Sequence, residues 1–304
     1  MEYNLMCNGK RTHRLNAFLP RGQNLFKKYG FFGFFDSVLY VFVRTLRRRF
    51  YRWKRSHFGL KEALFWGKQV DKWYRYNAVL QKLSHIASNG TLVKSILEVG
   101  CGKEGLVEFY PYINNENSYK VTSIDITVTN DMIQRGYPAS FTVPIKADAC
   151  CIPFSDNEMD FVISIDSLEH VPEFKRNAYI IELIRVARKG VFITCPMQSN
   201  DGNFVGGNYD IKYQKWYTKY FSNPNSTISE HIELGVPYVE EVQKILTTAE
   251  IQGGLNAEVW FKCMTFSNRP ILGLLTGFWF LLFGKIKAGN PPYYGGMLYI
   301  QKVP

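Results

Sequence analysis

Ten residues constrain this chain more than any others. Ile96–Gly105, I-L-E-V-G-C-G-K-E-G, runs from an apolar, strand-forming stretch through a glycine turn into a helix start. Gly100, Gly102 and Gly105 satisfy G-x-G-x-x-G, and Asp125 follows 23 residues after Gly102, at the end of the next apolar stretch. A strand, a turn whose backbone can approach a ligand, a helix N-terminus and an acid placed for ribose hydroxyls are the parts of a Rossmann-like nucleotide site.

The surrounding pattern predicts the fold that such a loop needs. Strand-like runs at Lys94–Val99, Tyr119–Asp125, Thr142–Asp148, Asp160–Asp166, Val191–Pro196, Ala257–Met264 and Gly296–Val303 alternate with helical stretches. The helical stretches are Asp71–Ser88, Lys103–Phe109, Phe174–Arg188 and Val239–Ile251, with Gly190 placed as a helix C-cap. Strands separated by helices imply an α/β fold with a doubly wound, mostly parallel sheet. A helical extension precedes it.

The loop alone leaves a dinucleotide dehydrogenase open, and charge discriminates. Glu98 stands two residues before the first glycine, inside the ligand end of the first strand. A carboxylate there opposes a pyrophosphate docking on the helix N-terminus. It suits a ligand with an amino group and a sulfonium, S-adenosyl-L-methionine. Glu104, at the helix start, points the same way.

Further along, Ala147-Asp148-Ala149, Ile152-Pro153-Phe154, Asp160-Phe161 and Ser167-Leu168-Glu169-His170-Val171 follow in order. In these residues the chain resembles the class I S-adenosylmethionine-dependent methyltransferases acting on small molecules. The likeness covers residues 94–200. It leans towards members in polysaccharide and lipid pathways, where a segment like Glu230–Pro237 (E-H-I-E-L-G-V-P) follows the fifth strand. Many members place the third glycine one residue earlier, where this chain has Glu104. The resemblance implies that Glu98 organises the methionine amino end, while Gly100, Cys101 and Gly102 let the backbone approach the ligand. It assigns Asp125 to the ribose, Asp148 and Ala149 to the adenine, and Asp166 to the methyl-facing end of the fourth strand.

Methyl transfer is an in-line displacement, so the protein's work is positioning, plus proton removal if the nucleophile is a hydroxyl. Asp166, His170 and His231 are the candidate bases; the histidines are favoured because an unshifted imidazole titrates in the useful range. His13, His57 and His85 fall outside the expected site. The segment 197–237 is too long for an idle connection, and its Tyr209, Tyr213, Trp216, Tyr217, Tyr220 and Phe221 suit a cover over a polar ring.

The net charge of +11 belongs to the N-terminus: residues 1–60 hold 13 Lys and Arg against Glu2 and Asp36, and the remainder is balanced. A general nucleic-acid surface on the body is thereby disfavoured. Tyr29–Leu46 is apolar and Phe-rich, but Asp36, Arg44 and two glycines interrupt it, so an interfacial helix fits better than a spanning one. Arg44, Arg47, Arg48, Arg49, Arg52, Lys54 and Arg55 follow as a basic tract for an anionic membrane surface. A second apolar segment, 271–284, is too short to span and reads as a buried hairpin or another interfacial piece. The domains expected are therefore a membrane-contacting extension at 1–60 and a methyltransferase domain at 61–304. The six cysteines (Cys7, Cys101, Cys150, Cys151, Cys195, Cys263) have no metal-site spacing, so a reduced cytoplasmic setting and no metal are expected. Met1–Gly22 has no apolar run of the kind a cleavable leader carries.

The expected reaction is methylation of a hydroxyl on a glycan or lipid-linked intermediate. Carbon methylation of a prenylated quinone-like ring is the alternative within enzymes. An inactive cofactor-binding or scaffold protein at the membrane is the alternative outside them. Oligomeric state is open.

Overall fold

The structure, a computed structural model, describes residues 29–51, 57–109, 119–270 and 272–302. Among the described residues, three α-helices precede the sheet: α1 (Phe31–Phe50), α2 (Leu60–Trp66) and α3 (Val70–Ser88). Then follow β1 (Ser95–Val99), β2 (Lys120–Asp125), α4 (Asn130–Gln134), β3 (Ile145–Lys146), β4 (Met159–Ile165), α5 (Glu173–Val186) and β5 (Ala187–Pro196). The C-terminal part holds α6 (Gly206–Phe221), α7 (Ser226–Leu234), α8 (Val239–Ile245), β6 (Glu250–Gly253), α9 (Ala257–Ser267), α10 (Leu272–Trp279) and β7 (Gly295–Gln301).

The strand order is β3-β2-β1-β4-β5-β7-β6, parallel from β3 to β5, with β7 antiparallel to both β5 and β6. This is the doubly wound sheet that the alternation predicts. The order reverses between β1 and β4, and the loops leaving those two strands open the crevice where ligands bind in such sheets. Both faces are covered. On one, Trp73, Tyr76, Leu80 and Leu83 of α3 pack towards Ile96, Phe161 and Ile163; on the other, Tyr179, Ile180 and Leu183 of α5 meet Leu97, Val162 and Ile193.

Several expected elements differ. Ala257–Met264 is helical, not extended: Asn256 accepts from the Glu258 and Val259 N–H groups, and Trp260, Cys263 and Ser267 fall on one buried face at helical spacing. Gly190 caps no helix. It lies inside β5, where a side chain would strike the Ile300 carbonyl 2.7 Å away. Helix α8 stops at Ile245, and Glu250–Gly253 supplies the edge strand β6. Of Thr142–Asp148 only Ile145–Lys146 is strand; Pro144 just before it has no N–H to give, while the Thr142 and Ala147 N–H groups each donate to a carbonyl of β2. Of Lys103–Phe109 only a 3₁₀ turn, Leu106–Phe109, forms. Residues 110–118 lie outside the described part.

The segment 271–284, described from Leu272, is neither a hairpin nor extended. It is α10 followed by a π-helical turn, Phe280–Gly284. Gly277 is pressed so closely on α2 that a Cβ would sit 2.4 Å from the Ala63 carbonyl.

Helix α1 packs on the same layer, and its polar residues explain how. Asp36, which interrupts the apolar run, is buried against the Lys68 ammonium. Arg47 is 1% exposed, lies 3.8 Å over the Trp66 ring and pairs with Glu108 at 3.1 Å; Arg48 pairs with the same carboxylate. The basic tract is thus partly turned inward: three of its seven cations (Arg44, Arg47, Arg48) serve Glu104 and Glu108. Arg52, Lys54, Arg55 and the Arg49 side chain lie outside the described residues. What α1 leaves exposed is mostly apolar, Phe31, Phe32, Phe34, Phe35 and Phe42 among it, with Thr45 and part of Arg48 beside them. Among the described residues, no helix is long and apolar enough to cross a membrane.

Candidate active site

The ligand loop is built from β1 outwards. Gly100 has φ 72°, and a Cβ there would stand 2.2 Å from Ser167 Oγ, so this position needs glycine both for its left-handed backbone and for contact with the loop after β4. Gly102 has φ 52° and donates its N–H to Asp125 Oδ2 at 2.7 Å. Asp125 Oδ1 accepts from Thr127 N–H at 2.8 Å, so the carboxylate faces the glycine turn from the end of β2, where a ribose acid belongs. Cys101 is buried between the glycines.

Glu98 lies beneath the loop. Its Oε1 accepts from Leu106 N–H at 2.6 Å and its Oε2 from the Ser123 hydroxyl at 3.0 Å. Burial pushes its pKa up to about 7, against those two bonds. This explains the displaced third glycine. A Cβ on Gly105 would sit 2.4 Å from Glu98 Oε1, so Gly105 makes room for the carboxylate rather than for a ligand.

Glu104, expected to repel a phosphate, is engaged elsewhere. Arg44 pairs with it at 2.5 Å and Lys72 at 3.4 Å, and Gln69 donates at 2.9 Å. Despite burial, which opposes its charge, Lys72 and Arg44 hold its pKa far below the ordinary carboxylate range. Its charge is consumed on the helix side of the loop and does not face a ligand.

Asp148, with Ala149 beside it, follows β3. Its Oδ1 accepts from Cys150 N–H at 2.9 Å, a turn cap of the kind expected for a strand-end acid. Asp166 ends β4 at φ 53°, a strained conformation for a residue with a side chain. Arg75 Nε of α3 stands 2.7 Å from Asp166 Oδ1, and Arg75 also pairs with Asp71 at 3.3 Å. Burial disfavours the Arg75 charge, but Asp166 and then Asp71 outweigh it and raise its pKa. Burial raises the Asp166 pKa against the pull of Arg75, so Asp166 stays a candidate base beside the histidines, with one oxygen already engaged by the guanidinium.

His170 and His231, 61 residues apart in sequence, come together. Their Nε2 atoms are 3.4 Å apart and the rings meet edge to face at 4.8 Å. His231 Nδ1 lies 3.1 Å from Asp210 Oδ2, and Asp210 Oδ1 accepts from the Tyr294 hydroxyl at 2.6 Å. His170 Nδ1 lies 3.0 Å from Glu230 Oε2. Arg176 holds the two loops in register, donating to the Val171, Leu234 and Gly235 carbonyls. Glu169 is buried beside them; burial first, and then the Asp166 charge, raise its pKa well above the ordinary range.

The segment 197–237 contributes differently from expectation. Its rings are occupied with packing: Tyr213 is fully buried against Trp260, and Trp216 stacks on Tyr220 at 4.8 Å. What α6 and α7 deliver are Asp210 and His231. Sequence reasoning missed Asp210, Arg75 and Tyr294. None sits in a local motif, and each becomes meaningful only once α3, α6 and β7 converge on the end of β4.

The residues present suit S-adenosylmethionine: a glycine cradle, a carboxylate for ribose, and an acid beneath the loop where a pyrophosphate would be repelled. Residues 97–195 match a family model described as a methyltransferase domain. A phthiotriol/phenolphthiotriol dimycocerosates methyltransferase of Mycobacterium ulcerans is 27% identical over 111 residues, 36% of this chain and 38% of that protein. The match thus spans about two-fifths of that relative's length. Among solved structures, a phosphoethanolamine N-methyltransferase of Haemonchus contortus with S-adenosyl-L-methionine bound is 16% identical at TM-score 0.45, over 86% of this chain and 60% of that one. The magnesium protoporphyrin IX methyltransferase of Synechocystis is 16% identical at TM-score 0.44, over 86% and 94%.

Proposed function

We propose, from residues 97–195 being a class I S-adenosylmethionine-dependent methyltransferase domain, that this protein methylates a hydroxyl of a lipid-linked or glycan intermediate presented at a membrane surface. When bound, the cofactor supplies an electrophilic methyl group on a sulfonium. Gly100, Cys101 and Gly102 would hold it against the backbone, Asp125 would hold its ribose, and Asp148 with Ala149 the adenine edge. Glu98, when ionised, would supply negative charge towards its cationic end. Arg75 fixes Asp166 at the mouth of β4, and the cluster around His170 and His231 receives the acceptor's hydroxyl and removes its proton.

The observation that carries this reading is the convergence of Asp210, His231 and His170 at the end of β4. A buried carboxylate sets one imidazole, and that imidazole faces the half-exposed second one. Such an arrangement suits proton removal from a weakly acidic hydroxyl better than methylation of an amine that already carries a lone pair.

The lipid side of the proposal rests on exposed apolar surface. Leu274 of α10 lines one cleft with Tyr40 and Val43 of α1, so the two apolar segments are neighbours. Phe31, Phe34, Phe42, Leu275 and Leu282 are exposed on them, which favours contact with an apolar phase. The mycobacterial relative's name gives triol substrates, in keeping with a hydroxyl acceptor.

The test is transfer of labelled methyl from S-adenosylmethionine to lipid and glycan extracts by the full-length protein. Label in a lipid-linked or glycan fraction, reduced about 10²–10⁴-fold by His170→Ala or His231→Ala, is the expected result. Label only in amines, or turnover indifferent to both histidines, would contradict it.

A further inference from the structure

The two histidines pose a problem that a proton-transfer role leaves open. Ionised carboxylates only accept hydrogen bonds, so His231 Nδ1 donates to Asp210 and His170 Nδ1 donates to Glu230. In the neutral state both Nε2 atoms then carry bare lone pairs, and these lone pairs converge at 3.4 Å. A positive charge between them, a proton on one ring or a metal ion bound by both, satisfies the pair. Beside them Glu169 is 1% exposed, and among the described residues nothing donates to its Oε2.

We propose that Glu169, His170 and His231 form a binding site for a first-row divalent cation, with zinc the best fit. One ligand atom from each lies within 4.8 Å of the others. Two nitrogens about 2.0–2.1 Å from a tetrahedral ion stand roughly 3.4 Å apart, which is the spacing the imidazoles already have. Two imidazoles and a carboxylate favour zinc, manganese or iron over magnesium and calcium, and leave an open position for a fourth ligand. The outer shell is that of a metal site: each ligating imidazole gives its other N–H to a carboxylate, and Tyr294 in turn bonds Asp210.

The chemical role, though not the binding, rests on the methyl-transfer reading. The acceptor hydroxyl takes the open position, and the cation makes it acidic. Its proton leaves to water past the half-exposed His170. The new O–C bond forms as the sulfonium S–C bond breaks, so the methyl moves to oxygen and neutral S-adenosylhomocysteine departs.

The experiment is zinc titration of full-length, chelator-stripped protein by calorimetry, with S-adenosylhomocysteine titrated into the same samples. One zinc per chain is expected, weakened at least tenfold in Glu169→Gln and His170→Asn and about 10–100-fold in Asp210→Asn. Cobalt should replace zinc with a visible absorption band that His170→Asn alters, and magnesium and calcium should not compete. Variants qualify if they still bind S-adenosylhomocysteine; the half-exposed His170 serves should the buried positions fail to fold. No zinc binding by protein that binds S-adenosylhomocysteine would overturn the cation site alone and return the histidines to direct proton transfer. Zinc binding indifferent to Glu169→Gln and His170→Asn would overturn it as well. Zinc bound as expected without S-adenosylhomocysteine binding would support the site and remove the methyltransferase role.

Discussion

Arg44 of α1 and Glu104 of the ligand loop are 2.5 Å apart, so the N-terminal helix and the turn that would hold the cofactor share an ion pair. The neighbouring Glu108 strengthens the link, taking Arg47, Arg48 and Arg135 on one buried carboxylate. Helix α1 therefore turns Arg44 and Arg47 towards these carboxylates, and Arg48 reaches one of them from the surface, while its phenylalanines face outward. Anything that draws those phenylalanines into an apolar phase pulls on the same helix that braces the loop.

Glu108, together with Glu104, should set the acid stability of this contact. Burial opposes its charge, but Arg47 and Arg48 bring its pKa to about 2, below the ordinary 4.5. A depressed pKa stabilises the fold above the unfolded value and loses that stability as pH falls from about 4.5 towards 2. Glu108→Gln should cost about 3–5 kcal/mol near neutrality, because Arg47 stays buried without its counter-ion, and should flatten the acid limb. Urea unfolding from pH 3 to 7 measures both. An unchanged profile would mean the cluster is neutral in its effect.

Glu98 should give the opposite slope. Its pKa is raised to about 7, so its contribution to folding is full below about 4.5 and declines as pH rises through 7. A cationic ligand end favours the ionised form, so S-adenosylmethionine affinity should climb between pH 6 and 8, by at most tenfold per unit. Glu98→Gln should bind more weakly at pH 8 and show little slope. A slope retained in Glu98→Gln would assign the titration to another group.

Gly105→Ala should be more harmful than a turn glycine ordinarily is. The added carbon meets Glu98 Oε1 at 2.4 Å and Oε2 at 2.7 Å, both held in place by Leu106 and Ser123. The expected cost is about 1–3 kcal/mol, with weakened S-adenosylhomocysteine binding. Thermal unfolding and calorimetry check it; a neutral outcome would show that the loop shifts freely.

Membrane binding should depend on apolar insertion more than on charge, since Arg44, Arg47 and Arg48 are engaged within the protein. Full-length protein should pellet with neutral vesicles nearly as well as with anionic ones, and 1 M salt should change little. Replacing Phe31, Phe34, Phe35 and Phe42 by Ser should release it. Salt-sensitive pelleting that survives those substitutions would return the attraction to basic residues outside the described part.

The sheet was legible because two local signals agree: apolar runs set the strands, and Ile96–Gly105 marks where the ligand end lies. Ala257–Met264 misled because an apolar run of eight fits a strand and a buried helix equally; Asn256, an N-cap, was the clue that separates them. In the site, His170 and His231 were legible as chemistry-bearing residues, but their pairing was not, since it requires α7 to fold back over the end of β4. Arg75 and Asp210 were illegible for the same reason. Glu104 was misread because its charge looks outward in sequence, while its partners, Arg44 and Lys72, lie on other elements.

The central claim, a class I site for S-adenosylmethionine, is tested most directly by calorimetric titration of the full-length protein with S-adenosylhomocysteine and, separately, with NAD. One S-adenosylhomocysteine site per chain is predicted, weakened by about 1.5–3 kcal/mol in Asp125→Ala, which loses charge-assisted ribose hydrogen bonds, with NAD far weaker. Tight NAD binding with none for S-adenosylhomocysteine would contradict it.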